Sequence, residues 1–92
     1  MKHARAEALD GIEPLLKRLR TIEGLKEKSR GCFYLGGKGY LHFHEHGEDE
    51  LYADIGTGAL ERLPAMTAAQ RKLILERAVR EIAAVRAAAN KR

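Results

Sequence analysis

Three histidines, His42, His44 and His46, alternate with Phe43 and Glu45 in the run Tyr40-Leu41-His42-Phe43-His44-Glu45-His46. On an extended strand this spacing sets all three imidazoles on one face, with neighbouring Cβ atoms about 6–7 Å apart. Two imidazoles at that separation can share one divalent transition metal such as zinc, each supplying a nitrogen at about 2 Å. His46 is too far along the strand to join His42 on the same ion, so the useful pairs are His42 with His44, or His44 with His46. Further ligands must come from adjacent strands.

The surrounding alternation indicates which residues those strands bring. Phe33 and Leu35, Leu41 and Phe43, and Leu51, Ala53 and Ile55 form one apolar set. Cys32, Tyr34, Tyr40, His42, His44, His46, Tyr52 and Asp54 form the other, which faces away from it. To keep the apolar set on one side, both hairpins need loops of odd length, Gly36 to Lys38 and Gly47 to Asp49. Cys32 and Asp54 then flank His42, and Tyr52 stands beside His44. The row could be a metal site with Cys32, His42, His44 and Asp54 as ligands, His46 entering only where the ion is shared with His44, or a nucleophile, base and orienter arrangement. It could equally be the polar outer surface of an amphipathic sheet, and no residue is assigned as catalytic. His3 lies far from the run in sequence and is expected to play no part in it.

Stepping outward, the elements that hold this row form an α+β order: a helix, a three-stranded antiparallel meander and a long C-terminal helix, both helices on the Phe33/Leu41/Ile55 side. Leu9, Ile12, Leu15, Leu16, Leu19 and Ile22 recur at helical spacing. Asp10 with Glu13 predicts a capping box, which would put Pro14 in the first turn where it costs no hydrogen bond, and Ala4 to Leu9 would be a separate turn. Thr67 with Gln70 starts the last helix, and Leu75, Ala78, Ile82, Val85 and Ala89 make its apolar stripe down to Asn90. Strands are expected over Cys32 to Leu35, Tyr40 to Glu45 and Leu51 to Ile55, with a weak signal at Leu60 to Leu63. Glu45, Glu48, Asp49 and Glu50 read as a solvated turn. The Gly36-Gly37-Lys38-Gly39 segment joins two strands rather than a strand and a helix, which excludes a phosphate loop.

The 92 residues make one domain, 1–92, and its core is thin, because Phe and Tyr together number five and Trp is absent. A lone Cys32 excludes an intrachain disulfide and, with no signal-like or membrane-length apolar run, implies a cytoplasmic protein. The formal charge of +4 is unevenly spread: residues 1–30 carry eight basic and five acidic side chains, 31–66 two and six, 67–92 seven and two. The basic ends are ordinary solvated helix faces, and the acidic middle opposes a nucleic-acid backbone at the sheet.

The stretch from Gly37 to Glu45, with its Leu41-His42-Phe43-His44-Glu45 core, followed by Leu51-Tyr52-Ala53-Asp54, resembles a group of small bacterial proteins built around such LHFHE and LYAD strands. The resemblance spans Phe33 to Leu63. It implies a bacterial origin and a compact domain, and it brings no activity with it. Two functions follow from the residues themselves. One is a non-catalytic module that self-associates, or binds another protein, through Tyr34, Tyr40, His42, His44 and Tyr52, since Tyr is favoured at interfaces. The alternative is a transition-metal protein using the histidine strand.

Overall fold

A computed structural model of the chain describes residues 2–47 and 49–90. Strand β1 (Lys2–His3) leads into helices α1 (Ala6–Asp10) and α2 (Glu13–Arg20). Strands β2 (Leu25–Ser29), β3 (Cys32–Leu35), β4 (Lys38–His46), β5 (Glu50–Ile55) and β6 (Glu61–Pro64) follow, and helix α3 (Ala68–Ala89) comes last among the described elements. The protein is α+β, but its sheet is larger than the three-stranded meander expected. The strands lie in the order β2-β3-β4-β5-β6, all antiparallel, and β1 pairs with β4 as well. Since β5 occupies one side of β4, β1 takes the other side, beyond the point where β3 has ended.

The extra strands escaped the apolar pattern for physical reasons. In β2, Leu-Lys-Glu-Lys-Ser, only Leu25 is buried. A sheet edge rich in Lys discourages pairing with other chains, and the same charges erase the period-two signal. β1 is two residues long and is fastened through His3 opposite His44 and the Ala4 N–H donating to the Phe43 carbonyl at 3.1 Å.

The first hairpin turns differently from the three-residue loop expected over Gly36 to Lys38. Gly36 and Gly37 have φ of +60° and +84°, the left-handed pair that a two-residue turn demands and that glycine adopts without strain. Leu35 therefore pairs with Lys38 and Tyr34 with Gly39, yet Phe33 pairs with Leu41. Tyr40 is the extra residue, a β-bulge that restores the register one step further on. It also turns the Tyr40 side chain to the same side as Leu41. Tyr40 is only 1% exposed and its hydroxyl donates to Glu81 Oε1 on α3 at 2.7 Å. It is not on the outer face, where simple alternation had put it.

Phe33, Leu41, Phe43, Ala53 and Ile55 are fully buried, and they share one cluster with Leu15, Leu16 and Leu19 of α2 and with Ile74, Ala78 and Ile82 of α3. Both long helices thus cover the side of the sheet that the apolar set defines. Each buried phenylalanine contributes on the order of 2–3 kcal/mol of transfer free energy.

The helices depart from expectation in their caps and ends. The separate turn expected over Ala4 to Leu9 is the short helix α1, and Gly11 and Ile12 part it from α2. Ile12, not Asp10, is the N-cap of α2, and no side chain caps it. Pro14 sits in the first turn as expected, where its missing N–H leaves no helical bond unmade. Asp10 instead pairs with Arg30 at 2.8 Å. On α3 the Thr67/Gln70 capping box forms in both directions, at 3.1 Å each way. The core stripe of α3 stops at Ile82, however, and Val85 is 41% exposed, facing an open cleft that Leu35, Gly39 and Tyr40 also line.

Glu45 is a second correction. It is 4% exposed rather than part of a solvated turn, and its carboxylate accepts the Arg5 backbone N–H at 2.5 Å and the Arg5 Nε–H at 3.2 Å. A buried carboxylate needs such donors, so Glu45 locks the end of β1 onto β4. Asp49 and Glu50 are exposed, in keeping with a solvated turn, and Glu48 lies outside the described residues.

Candidate functional site on the outer sheet face

The bulge at Tyr40 preserves the register across the rest of the sheet. His42 lies between Cys32 and Asp54, and Asp54 in turn pairs with Arg62. These four residues form one row across β3, β4, β5 and β6. One step along, His3, His44, Tyr52 and Pro64 form a second row across β1, β4, β5 and β6. Directly paired residues on antiparallel strands share a face, so both rows look away from the helices.

Several contacts fix the rings. The His42 and His44 centroids are 6.1 Å apart in an edge-on arrangement, and Tyr34 lies 5.9 Å from His42. Lys28 Nζ stands 4.6 Å above the Tyr34 ring, a cation held by the ring's negative face. Asp54 is the electrostatic centre. It accepts from Arg62 Nε at 3.0 Å and Nη2 at 3.3 Å, and His44 Nε2 lies 3.3 Å from its Oδ2. The Arg62 guanidinium, first among the causes, holds the Asp54 carboxyl below its ordinary range against the opposing effect of burial. Tyr52 donates to Glu50 at 3.3 Å.

His42 is folded back over the strand. Its Nε2 is buried without a hydrogen-bond partner among the described residues, and a Cβ built on Gly39 would lie 3.0 Å from that atom. The ring occupies the space that the absent side chain of Gly39 leaves. A bulge and a glycine side by side in β4 thus place this imidazole.

The sequence reading missed two members of the site. His3 is brought to the outer face by β1, where its Nδ1 is 3.5 Å from Cys32 Sγ and its Nε2 is 3.1 Å from the Arg30 carbonyl. A two-residue strand carries no periodicity, so nothing in the pattern could have connected His3 with Cys32. Arg62 was hidden in the weak fourth strand. The proposed interface residues Tyr34, His42, His44 and Tyr52 are together and half-buried, while Tyr40 is on the opposite side. His46 is exposed at the far end of β4, opposite Glu50.

Of the five residues expected as metal ligands, the fold brings Cys32, His42, His44 and Asp54 into adjoining positions. Among the described residues, however, no group of three or more His, Cys, Asp or Glu side chains is gathered as the ligands of one ion. The Asp54 carboxylate is already engaged with Arg62, and the Cys32 thiol turns toward His3. Among the described residues no helix is long and apolar enough to cross a membrane. Comparison with protein-family models, with curated proteins and with solved structures finds no match to this chain.

Proposed function

We propose that the protein is a non-catalytic interaction module that self-associates by laying the outer face of its sheet on a second copy. The observation that supports this is the asymmetry of the sheet. Both long helices pack on the Phe33/Phe43 side, and no described helix covers Tyr34, His42, His44 and Tyr52, whose rings are already half-buried among their neighbours. Rings fixed in this way lose little side-chain freedom on association, which is why aromatic residues serve well as contact points. An isologous contact requires only that one patch match itself.

Light scattering or sedimentation at tens of micromolar tests the reading. A dimer is expected, and Tyr52→Ala together with His44→Ala should return it to monomer while the far-ultraviolet circular dichroism stays unchanged. A monomer at all concentrations, with outer-face resonances insensitive to dilution, rejects it.

A second reading, a zinc or other transition-metal site, has one observation in its favour: the partnerless His42 Nε2, with Cys32 and Asp54 in register on either side. Such a site would bind one equivalent of Zn²⁺ and raise the melting temperature, and His42→Ala would abolish the gain. His3 is not a neutral control for that experiment, because it adjoins Cys32. His46→Ala is the suitable one.

A further inference from the structure

On the opposite side of the molecule, α2 and the N-terminal half of α3 border an open cleft of about 370 Å³. This volume falls in the range of small-molecule sites, roughly 300–1,000 Å³. Ile12, Pro14, Leu15 and Leu75 form its apolar wall. Arg18, Arg71 and Lys72 also line it, and no acidic side chain does.

Arg18 and Lys72 make no ion pair among the described residues, so a bound anion would not have to displace a carboxylate from either. Arg71 donates from Nε and Nη2 to the carbonyls of Ala65 and Met66 at 3.0 and 3.2 Å, which orients its guanidinium and leaves its charge in place. Arg71 also borders a neighbouring cavity that Glu7, Glu45, Asp49 and Glu50 line, so it faces acids on that side. Arg18 and Lys72 do not line that cavity.

An apolar wall with uncompensated cations at its margin is complementary to a molecule with an apolar body and an anionic head. We propose that this cleft binds a free fatty acid of medium chain length, its hydrocarbon against Ile12, Pro14, Leu15 and Leu75 and its carboxylate between Arg18 and Lys72. The carboxylate forms charge-assisted hydrogen bonds there, and the tail covers the apolar surface that Pro14 and Leu75 still expose to water above the buried Ile12 and Leu15. The site is separate from the outer sheet face and does not depend on self-association.

Titration of the full chain with decanoate, below the concentration at which it forms micelles, tests this by calorimetry and by backbone amide shifts. One equivalent should bind, with shifts confined to Gly11, Leu15, Ala68 and Leu75 and their neighbours. Decan-1-ol, which has the same tail without the charge, should bind at least tenfold more weakly, and so should decanoate to Arg18→Glu/Lys72→Glu. Both substituted side chains are exposed, so the melting temperature of the variant serves to show that it is folded. Equal binding of decanoate, decan-1-ol and decylammonium overturns the proposal, as does uptake of many equivalents without saturation. Shifts at His42, His44 and Tyr52 in place of the cleft overturn it too, and so does decanoate affinity unaffected by the double charge reversal.

Discussion

The two faces of the central sheet are built from the same strands, yet they obey different rules. On the inner face Phe33, Leu41, Phe43, Ala53 and Ile55 are fully buried, in one cluster with the apolar residues of α2 and α3. On the outer face Cys32, His42, His44, Tyr52 and Asp54 are half-buried and touch one another rather than a covering layer. The inner face stabilises the fold through the area it removes from water, so volume is what matters there. On the outer face, where water reaches the side chains, identity and direction matter and stability depends little on any one residue.

The largest effect expected is therefore on the inner side. Phe43→Ala should cost about 3–5 kcal/mol, transfer and cavity terms together, and its neighbour His44→Ala less than about 1 kcal/mol. Denaturant unfolding of the two variants measures both. Similar losses for the two would show that an outer layer as well-packed as the helices covers the histidines.

The bulge moves Tyr40 from the outer face to the inner one. Burial first, then the hydrogen bond to Glu81, push its hydroxyl well above the ordinary tyrosine range. Tyr40→Phe keeps the ring and deletes the donor to a carboxylate that Arg77 also holds at 3.2 Å, so it should lower stability by about 1.5 kcal/mol. The same change at Tyr34 or Tyr52 should leave stability unchanged within about 0.5 kcal/mol.

How far the sequence revealed this arrangement follows from the same residues. The Cys32-His42-Asp54 row and the His44-Tyr52 pair are in the register that alternation demanded, since a one-residue slip would expose Phe33 or Phe43. The route to that register was not legible. A three-residue loop and a two-residue Gly36-Gly37 turn followed by a bulge satisfy the same alternation, and they differ only in where Tyr40 points. Nor was Glu45 legible as buried, because its partner Arg5 comes from a strand end with no pattern of its own. β2 was masked by its edge charges, and β1 by its length. The two helices of the plan survive as α2 and α3, and the separate turn expected over Ala4 to Leu9 is the short helix α1.

Charge at the margins gives a smaller effect with a definite sign. The side-chain hydrogen bond from Arg30, followed by that from Arg20, brings Glu13 from its ordinary value of 4.5 to about 2. A folded pKa below the unfolded one means the contribution is fully present above pH 4.5 and is lost as pH falls toward 2. The melting-temperature difference between the native chain and Glu13→Gln should accordingly be constant from neutral pH down to about 5, shrink steadily below that, and vanish only as pH falls below about 2. Screening keeps such exposed pairs weak, so 1 M salt should shrink the difference at neutral pH as well. Asp54→Asn on the outer face should follow the same sign, because Arg62 likewise holds that carboxyl down.

The smallest effect on stability falls where the two faces meet, at Gly39. Its φ is not in the left-handed region, so alanine fits the backbone, and removing a glycine from a strand restricts the unfolded chain in favour of folding. Against this, the new methyl group would sit 3.0 Å from His42 Nε2 and 3.2 Å from its Cε1, closer than van der Waals contact allows. Since the obstacle is the end of a side chain on a half-open surface, the ring can swing away at little cost. Gly39→Ala should consequently change unfolding free energy by no more than about 0.5 kcal/mol. It should nevertheless displace the His42 imidazole resonances and disturb the ring contact with Tyr34, and an association that uses this face should weaken with no loss of fold. Unmoved His42 resonances in the variant would place the ring elsewhere than over Gly39, and would remove the reason for a glycine beside the bulge.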